Sequence, residues 1–140
     1  MIEPCRACGA QNHIPTERLH ERARCGTCMR PIVPLAAPHA VHSEAEFDDF
    51  VGHSPLPVVV DFWAPALESA GAVAHEIEKL ARSKAGGAVV LELNIEELPH
   101  VAERYGVRSN PTFILFRDGQ ESKRLTGVHP ASELMTAFAG

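Results

Sequence analysis

Apolar and polar positions recur along the chain with two different periods, which predict strands and helices from residue 43 onward. Val58 to Phe62 is a β-branched and aromatic run interrupted only by Asp61, and it predicts a strand buried on both faces. Pro65 ends this strand. The apolar residues that follow recur at the spacing of a helix, at Leu67, Ala70, Val73, Ile77 and Leu80. The chain therefore passes from a buried strand through a turn into a helix.

Weaker patterns on either side complete an alternating order of elements. Ser43 and Glu46 form a capping box ahead of a short amphipathic helix. Asp118-Gly119 predicts a hairpin turn. Further strands are predicted over 88–93, 112–116 and 121–126, and further helices over 99–105 and 131–139. This order predicts an α/β fold with a mixed central sheet and helices on both faces.

Charge is shared unevenly between the two parts of the chain. Residues 1–42 carry a net charge of +2, and residues 43–140 carry a net charge of −7. An acidic main domain makes binding along a nucleic acid backbone an unfavoured function. No apolar run is long enough to span a membrane and the N-terminus shows no secretory signal, so we expect no membrane partner and a cytoplasmic location.

All four cysteines lie in the first 28 residues, as two Cys-x-x-Cys pairs separated by 16 residues. This spacing is typical of a four-cysteine zinc site, and in a cytosolic chain metal is favoured over disulfides. A segment this short has too little core to fold alone, so bound metal would supply its folding free energy. We therefore predict one structural zinc ion held by Cys5, Cys8, Cys25 and Cys28.

Repeated prolines after the second cysteine pair predict an extended connector. We place a zinc ribbon with this Pro-rich linker over residues 1–38 and the main domain over residues 39–140.

Two segments resemble the same protein family. The run from Val60 to Pro65, Val-Asp-Phe-Trp-Ala-Pro, resembles the approach to the thioredoxin active site, which the family continues as Trp-Cys-Gly-Pro-Cys. The segment from Cys5 to Cys28 resembles the zinc-ribbon extension of bacterial type 2 thioredoxins. The resemblance implies a thioredoxin fold preceded by a small zinc ribbon, with Pro111 as the cis-proline of the family.

The resemblance also assigns site residues. It places the two redox cysteines of the family at Leu67 and Ala70, neither of which can form a thiolate. It makes Asp61 the aspartate that handles the proton of the second cysteine, and Glu92 replaces a lysine that often pairs with it. Without that cysteine, Asp61 is expected to be a half-buried carboxylate in a small polar pocket, with its pKa raised by desolvation. The peptide-binding groove of the family maps onto Trp63, Ala66, Leu67, Asn110, Pro111, Gly127 and Val128.

Three functions remain open. The first, which we favour, is a thioredoxin relative that has lost dithiol-disulfide oxidoreductase activity and binds a protein or peptide client, as a binding or chaperone-like module. The second is a redox enzyme or sensor that acts through the N-terminal cysteines after oxidation releases zinc. The third is a zinc-ribbon adaptor for nucleic acid or a transcription assembly, which the arginines of the ribbon support and the charge of zinc-bound thiolates opposes.

Overall fold

The computed structural model describes residues 2–5, 7–16, 23–32, 38–65, 70–84, 87–107 and 111–138. Within these ranges no helix is both long enough and apolar enough to cross a membrane. The strands there are β1 (Ile2–Pro4), β2 (Gln11–His13), β3 (Ala23–Arg24), β4 (Pro31–Ile32), β5 (His39–Val41), β6 (Val58–Trp63), β7 (Val89–Asn94), β8 (Thr112–Arg117) and β9 (Gln120–Thr126). The helices there are α1 (Glu44–His53), α2 (Ala70–Lys84), α3 (Pro99–Arg104) and α4 (Ala131–Ala137).

A mixed sheet organises the main domain, and in the described ranges its strand order is β5-β7-β6-β8-β9. β6 lies at the centre, parallel to β7 and antiparallel to β8. Five of its six side chains are buried, as the apolar run predicts for a strand covered on both faces. The predicted mixed α/β sheet is confirmed.

Alternate side chains of β6 enter two separate layers of the core. Val58, Val60 and Phe62 belong to the buried cluster that also contains the α1 residues Phe47 and Phe50. Val59 belongs to the opposite cluster, which contains apolar residues of α2 and α4. Successive side chains of a strand point to opposite faces, so Asp61 lies on the same face as Val59, beneath α2.

The predicted capping box of α1 forms only in part. The Ser43 hydroxyl accepts a hydrogen bond from the Glu46 amide at 3.1 Å, as expected for an N-cap. The Glu46 carboxylate instead accepts from the amide of His42 at 3.0 Å, one residue before the position that a capping box would use.

One strand of the sheet was not predicted from the sequence. β5 lies at the start of the main domain, where the sequence predicts no strand, and it pairs with β7 as a parallel edge strand. Three residues are too few to show a period.

The predicted helix start at Leu67 lies outside the described residues, and the described part of α2 begins at Ala70.

The N-terminal segment forms two small antiparallel sheets, β1 with β2 and β3 with β4. Cys5, Ile14 and Cys25 belong to the same buried cluster as Phe47 and Phe50 of α1. This places the ribbon against the main domain.

A hydrogen bond joins the ribbon to α1. The Thr16 hydroxyl donates to the carboxylate of Asp49 at 2.5 Å, and His53 contacts the other carboxylate oxygen at 3.0 Å. The Thr16 hydroxyl, followed by His53, holds the pKa of Asp49 below its ordinary value. Asp49 therefore stays ionised and able to accept this bond at any pH near neutral.

Candidate functional site

The two cysteine pairs form knuckles with the same backbone bonding. In the first, the Cys5 amide donates to the Ala10 carbonyl at 2.8 Å and the Gly9 amide donates to the Cys5 carbonyl at 2.7 Å. In the second, the Cys25 amide bonds to the Arg30 carbonyl and the Met29 amide to the Cys25 carbonyl, both at 2.9 Å. The two halves of the ribbon thus present their cysteines in equivalent conformations.

Met29 occupies the position in the second knuckle that Gly9 occupies in the first. Both have left-handed backbone, with φ of 64° at Met29 and 78° at Gly9. Methionine is strained there because its Cβ approaches the following carbonyl oxygen. Its side chain is 60% exposed, so packing does little to offset that strain.

Met29→Gly is therefore expected to stabilise the second knuckle by about 0.5–1 kcal/mol, after the greater flexibility of glycine in the unfolded chain is included. The measurement is the chelator concentration that removes half of the bound metal, which should rise by a factor of about two to five. Arg30→Gly, at an exposed neighbour without positive φ, is the control and should lower that concentration. A fall with Met29→Gly would contradict this account of the strain.

The four sulfurs converge on one point. Cys5 and Cys28 have their sulfurs 3.6 Å apart, and so do Cys8 and Cys25. All four ligand atoms lie within 4.8 Å of one another. A tetrahedral ion with metal–sulfur bonds of about 2.3 Å separates its sulfurs by about 3.8 Å, so the arrangement fits a metal bound by four thiolates.

Backbone amides favour the thiolate form at the first cysteine of each pair. The amides of Cys28 and Thr27 lower the pKa of Cys25 to about 6. Backbone amides of the first knuckle lower the pKa of Cys5 in the same way. A thiolate is the form that binds metal, so the local backbone prepares these two sulfurs as ligands.

Crowding of the sulfurs has the opposite effect on Cys8. The Ala10 amide favours its thiolate, but the sulfur of Cys25 and the other nearby thiols raise the pKa of Cys8 to about 12. Several thiolates this close repel one another, and a divalent cation removes that repulsion. The donor set, the spacing and the electrostatics all fit a metal ligand cluster.

Asp61 lies on the face of β6 that α2 covers, next to Glu92. The two residues are Cα partners in the parallel ladder of β6 and β7. Asp61 is only 2% exposed, and its Oδ1 has no hydrogen-bond partner among the described residues. Burial, and then the charge of Glu92, raise the pKa of Asp61 to about 8. The raised pKa agrees with the expectation from the sequence, but the carboxylate is almost fully buried rather than half-buried.

Glu92 adds to the same acidic environment. Its side chain is half-buried, and burial followed by the charge of Glu78 raises its pKa. In the register of the sheet, β7 offers Asp61 a carboxylate and no cation.

The described groove residues meet at one end of the sheet, where the strands β6, β8 and β9 begin or end. Trp63 ends β6, Pro111 precedes β8 and Gly127 follows β9, and the ladders align these ends. The Gly127 amide donates to the Pro111 carbonyl at 2.8 Å, and Val128 next to it is 53% exposed. Ala66, Leu67 and Asn110 lie outside the described residues, as does the peptide bond into Pro111. The described part of α2 begins at Ala70.

These features define a class of protein: an α/β domain of the thioredoxin fold that carries an N-terminal metal-binding ribbon. The family model described as Thioredoxin matches residues 38–139, and the one described as Thioredoxin 2, N-terminal, matches residues 4–29. The chain therefore belongs to the thioredoxin family.

Relatives of known identity cover much of the chain. Thioredoxin C-3 of Corynebacterium nephridii is 31% identical over 134 residues, which are 96% of this chain and 90% of the relative. A thioredoxin of Synechocystis is 38% identical over 96 residues, which are 69% of this chain and 90% of the relative. The similarity to the first relative thus includes the ribbon as well as the main domain.

Solved thioredoxin structures share the fold of the main domain. The thioredoxin of Malassezia sympodialis superposes with a TM-score of 0.67 at 27% identity, covering 76% of this chain and 91% of that one. The thioredoxin of Plasmodium falciparum superposes with a TM-score of 0.64 at 26% identity, covering 70% and 93% respectively.

Proposed function

We propose that the ribbon binds a single structural zinc ion and that the main domain binds a protein or peptide client without dithiol-disulfide exchange. The observation that carries the second half is the absence of cysteine from residues 29–140. Thioredoxin chemistry requires one thiolate to attack a substrate disulfide and a second thiol to resolve the mixed disulfide. The main domain has neither group.

Zinc is the metal that this donor set favours. Four cysteines close the coordination sphere, which is typical of a structural zinc site and leaves no open position for catalysis. An ion bound by these four cysteines would supply the folding free energy of the ribbon, because strands of two or three residues provide little of it.

The groove supports client binding. Trp63 is partly exposed there and Val128 presents a large exposed side chain, so both offer apolar surface, whereas Pro111 is buried in the fold. β9 is an edge strand of this sheet and ends at the groove, so an extended peptide can add main-chain hydrogen bonds to it and place alternate side chains in adjacent pockets. A client would then be recognised by shape and backbone, with no covalent step.

Insulin reduction by the full zinc-loaded chain tests the proposal. The native chain is expected to reduce insulin no faster than buffer with dithiothreitol alone. The double variant Leu67→Cys, Ala70→Cys restores two thiols at the positions that the family uses, and it is expected to accelerate reduction at least tenfold over the native chain.

A matched double variant, Leu67→Ser with Ala70→Ser, controls for the added polarity and should remain inactive. Turnover by the native chain at a rate comparable with a thioredoxin would overturn the proposal. Failure of the cysteine variant to gain activity would show that the turn between β6 and α2 no longer presents the two positions as the family does.

A redox role for the ribbon is the second candidate, and the thioredoxin names of the relatives favour it. Cys8 is exposed, and its sulfur lies 3.6 Å from that of Cys25. An oxidant such as peroxide could convert the metal-bound Cys8 thiolate to a sulfenic acid, with peroxide leaving as hydroxide. The Cys25 thiolate would then attack this sulfur, expel a second hydroxide, form a disulfide and release the metal. Zinc retained during exposure to peroxide would exclude this function.

A further inference from the structure

The side chain of Asn12 lies between the two knuckles and contacts both. Its Nδ2 donates to the Ala10 carbonyl at 3.1 Å and to the sulfur of Cys25 at 3.6 Å. Its Oδ1 accepts a hydrogen bond from the Gly26 amide at 2.9 Å. A residue of β2 thereby holds the second knuckle at its turn and at its first ligand.

The network fixes the orientation of this amide group. The opposite orientation would place Oδ1 against both the Ala10 carbonyl and the Cys25 sulfur, and it would leave the Gly26 amide facing a donor. Each of these three contacts would change from favourable to repulsive. The donor is therefore the atom that faces the sulfur.

Cys25 differs from the other ligands in this respect. Its side chain is fully buried, and its sulfur also accepts the Thr27 amide at 3.4 Å. Within the described ranges, Cys25 is the one cysteine of the four whose sulfur accepts a hydrogen bond from a side-chain amide. Four thiolates around a divalent ion leave a net charge of about −2, and a buried sulfur depends on such donors because water does not reach it.

We propose that Asn12 is a positioning residue of the metal site, which holds the second knuckle closed across the ribbon and stabilises the charge on the Cys25 sulfur. The inference rests on the proposed metal site. It adds that metal affinity depends on a residue that is not itself a ligand, through the polarity of its side chain rather than through its size.

Zinc affinity of the full chain tests this inference, by competition with a chromophoric chelator. Asn12→Ala removes all three contacts and is expected to weaken binding about 10- to 100-fold. Asn12→Asp has nearly the same size and keeps an acceptor for Gly26, but it turns an oxygen toward the thiolate. It is expected to bind zinc more weakly than Asn12→Ala.

Gln11→Ala is the matched control, since Gln11 is the exposed neighbour of Asn12 on the same strand. Its affinity should stay within about twofold of the native value. Circular dichroism of each variant should show the same secondary-structure content as the native chain, because the sheet and core of the main domain do not depend on Asn12 or Gln11.

A spectroscopic measurement separates charge stabilisation from a purely structural role. With cobalt in place of zinc, loss of an N–H···S bond raises the energy of the sulfur electrons. The thiolate-to-cobalt charge-transfer bands should therefore move to longer wavelength in Asn12→Ala, and further in Asn12→Asp. A role in shape alone would lower affinity without moving these bands.

The inference is overturned if Asn12→Asp binds zinc as tightly as the native chain, or if neither variant shifts the cobalt bands. Failure of the proposed metal site itself would appear differently, as absence of zinc binding by the native chain and by Gln11→Ala.

Discussion

Asp61→Asn is expected to raise the free energy of unfolding at pH 9 by about 3 to 5 kcal/mol. The native carboxyl is buried beside Glu92, and its Oδ1 has no hydrogen-bond partner in the described residues. At pH 9 it must ionise in that environment, since its pKa of about 8 lies below the pH. Asparagine has the same size and carries no charge, so it avoids the cost of ionisation.

The sign of the pH dependence follows from the direction of the pKa shift. Asp61 has a pKa of about 8 in the folded chain against 3.8 for an unperturbed group. Between these values the folded chain binds a proton that the unfolded chain does not, so stability falls as the pH rises through this window. Below the lower value both states are protonated, and the native chain and the variant should differ by less than about 1 kcal/mol.

Urea unfolding of the metal-loaded chain at several pH values between about 6 and 9, where the cysteines keep their metal, measures this difference, which should grow as the pH rises. Glu96→Gln, at an exposed carboxylate in the turn after β7, is the control and should show no such gain at pH 9. If Asp61→Asn gave a constant difference from about pH 6 to pH 9, the buried charge would not be its cause.

Removal of the metal, or Cys25→Ser, is expected to unfold the ribbon while the main sheet stays folded. Its described strands contain two or three residues each, and binding of structural zinc is typically worth about 10–16 kcal/mol of folding free energy. The main domain has its own sheet and two buried layers. Loss of one cysteine leaves the other thiolates without a complete tetrahedron.

Amide resonances in a two-dimensional NMR spectrum measure this separation. Those of residues 2–16 and 23–32 should collapse into the region of unfolded chains, and those of β6 should keep their positions. Thr27→Ser, at an exposed knuckle residue that is not a ligand, is the control and should leave the spectrum dispersed. A ribbon that remained dispersed in excess chelator would contradict the assignment of metal as the source of its stability.

The long elements of the main domain were predictable because burial leaves a pattern in the sequence. β6 and β8 are buried on both faces and appear as continuous apolar runs, and α2 shows helical spacing. The ribbon strands and β5 were not predicted, since segments of two or three residues have no measurable period. Their conformation is set by tertiary contacts and, we propose, by metal.

Some residues of the candidate sites can be identified from the sequence, and others only from the structure. Cysteine spacing identifies the four ligands, because metal coordination requires those residue types at that separation. The roles of Asn12 and of the Thr16–Asp49 contact depend on which side chains meet in space, and no spacing rule indicates either of them. The depth of burial of Asp61 was likewise underestimated, because the sequence does not show how closely α2 and the neighbouring strands cover it.

The contact between ribbon and α1 has a consequence for the protein in a cell. Cys5, Ile14 and Cys25 of the ribbon belong to the same buried cluster as Phe47 and Phe50, and the Thr16 hydroxyl bonds the ribbon to Asp49. If the ribbon binds zinc as proposed, a chain made during zinc starvation would keep its main sheet but would expose part of this apolar cluster to water, where proteases and aggregation remove it. Its abundance would then follow the supply of zinc, without any dedicated regulator of its synthesis.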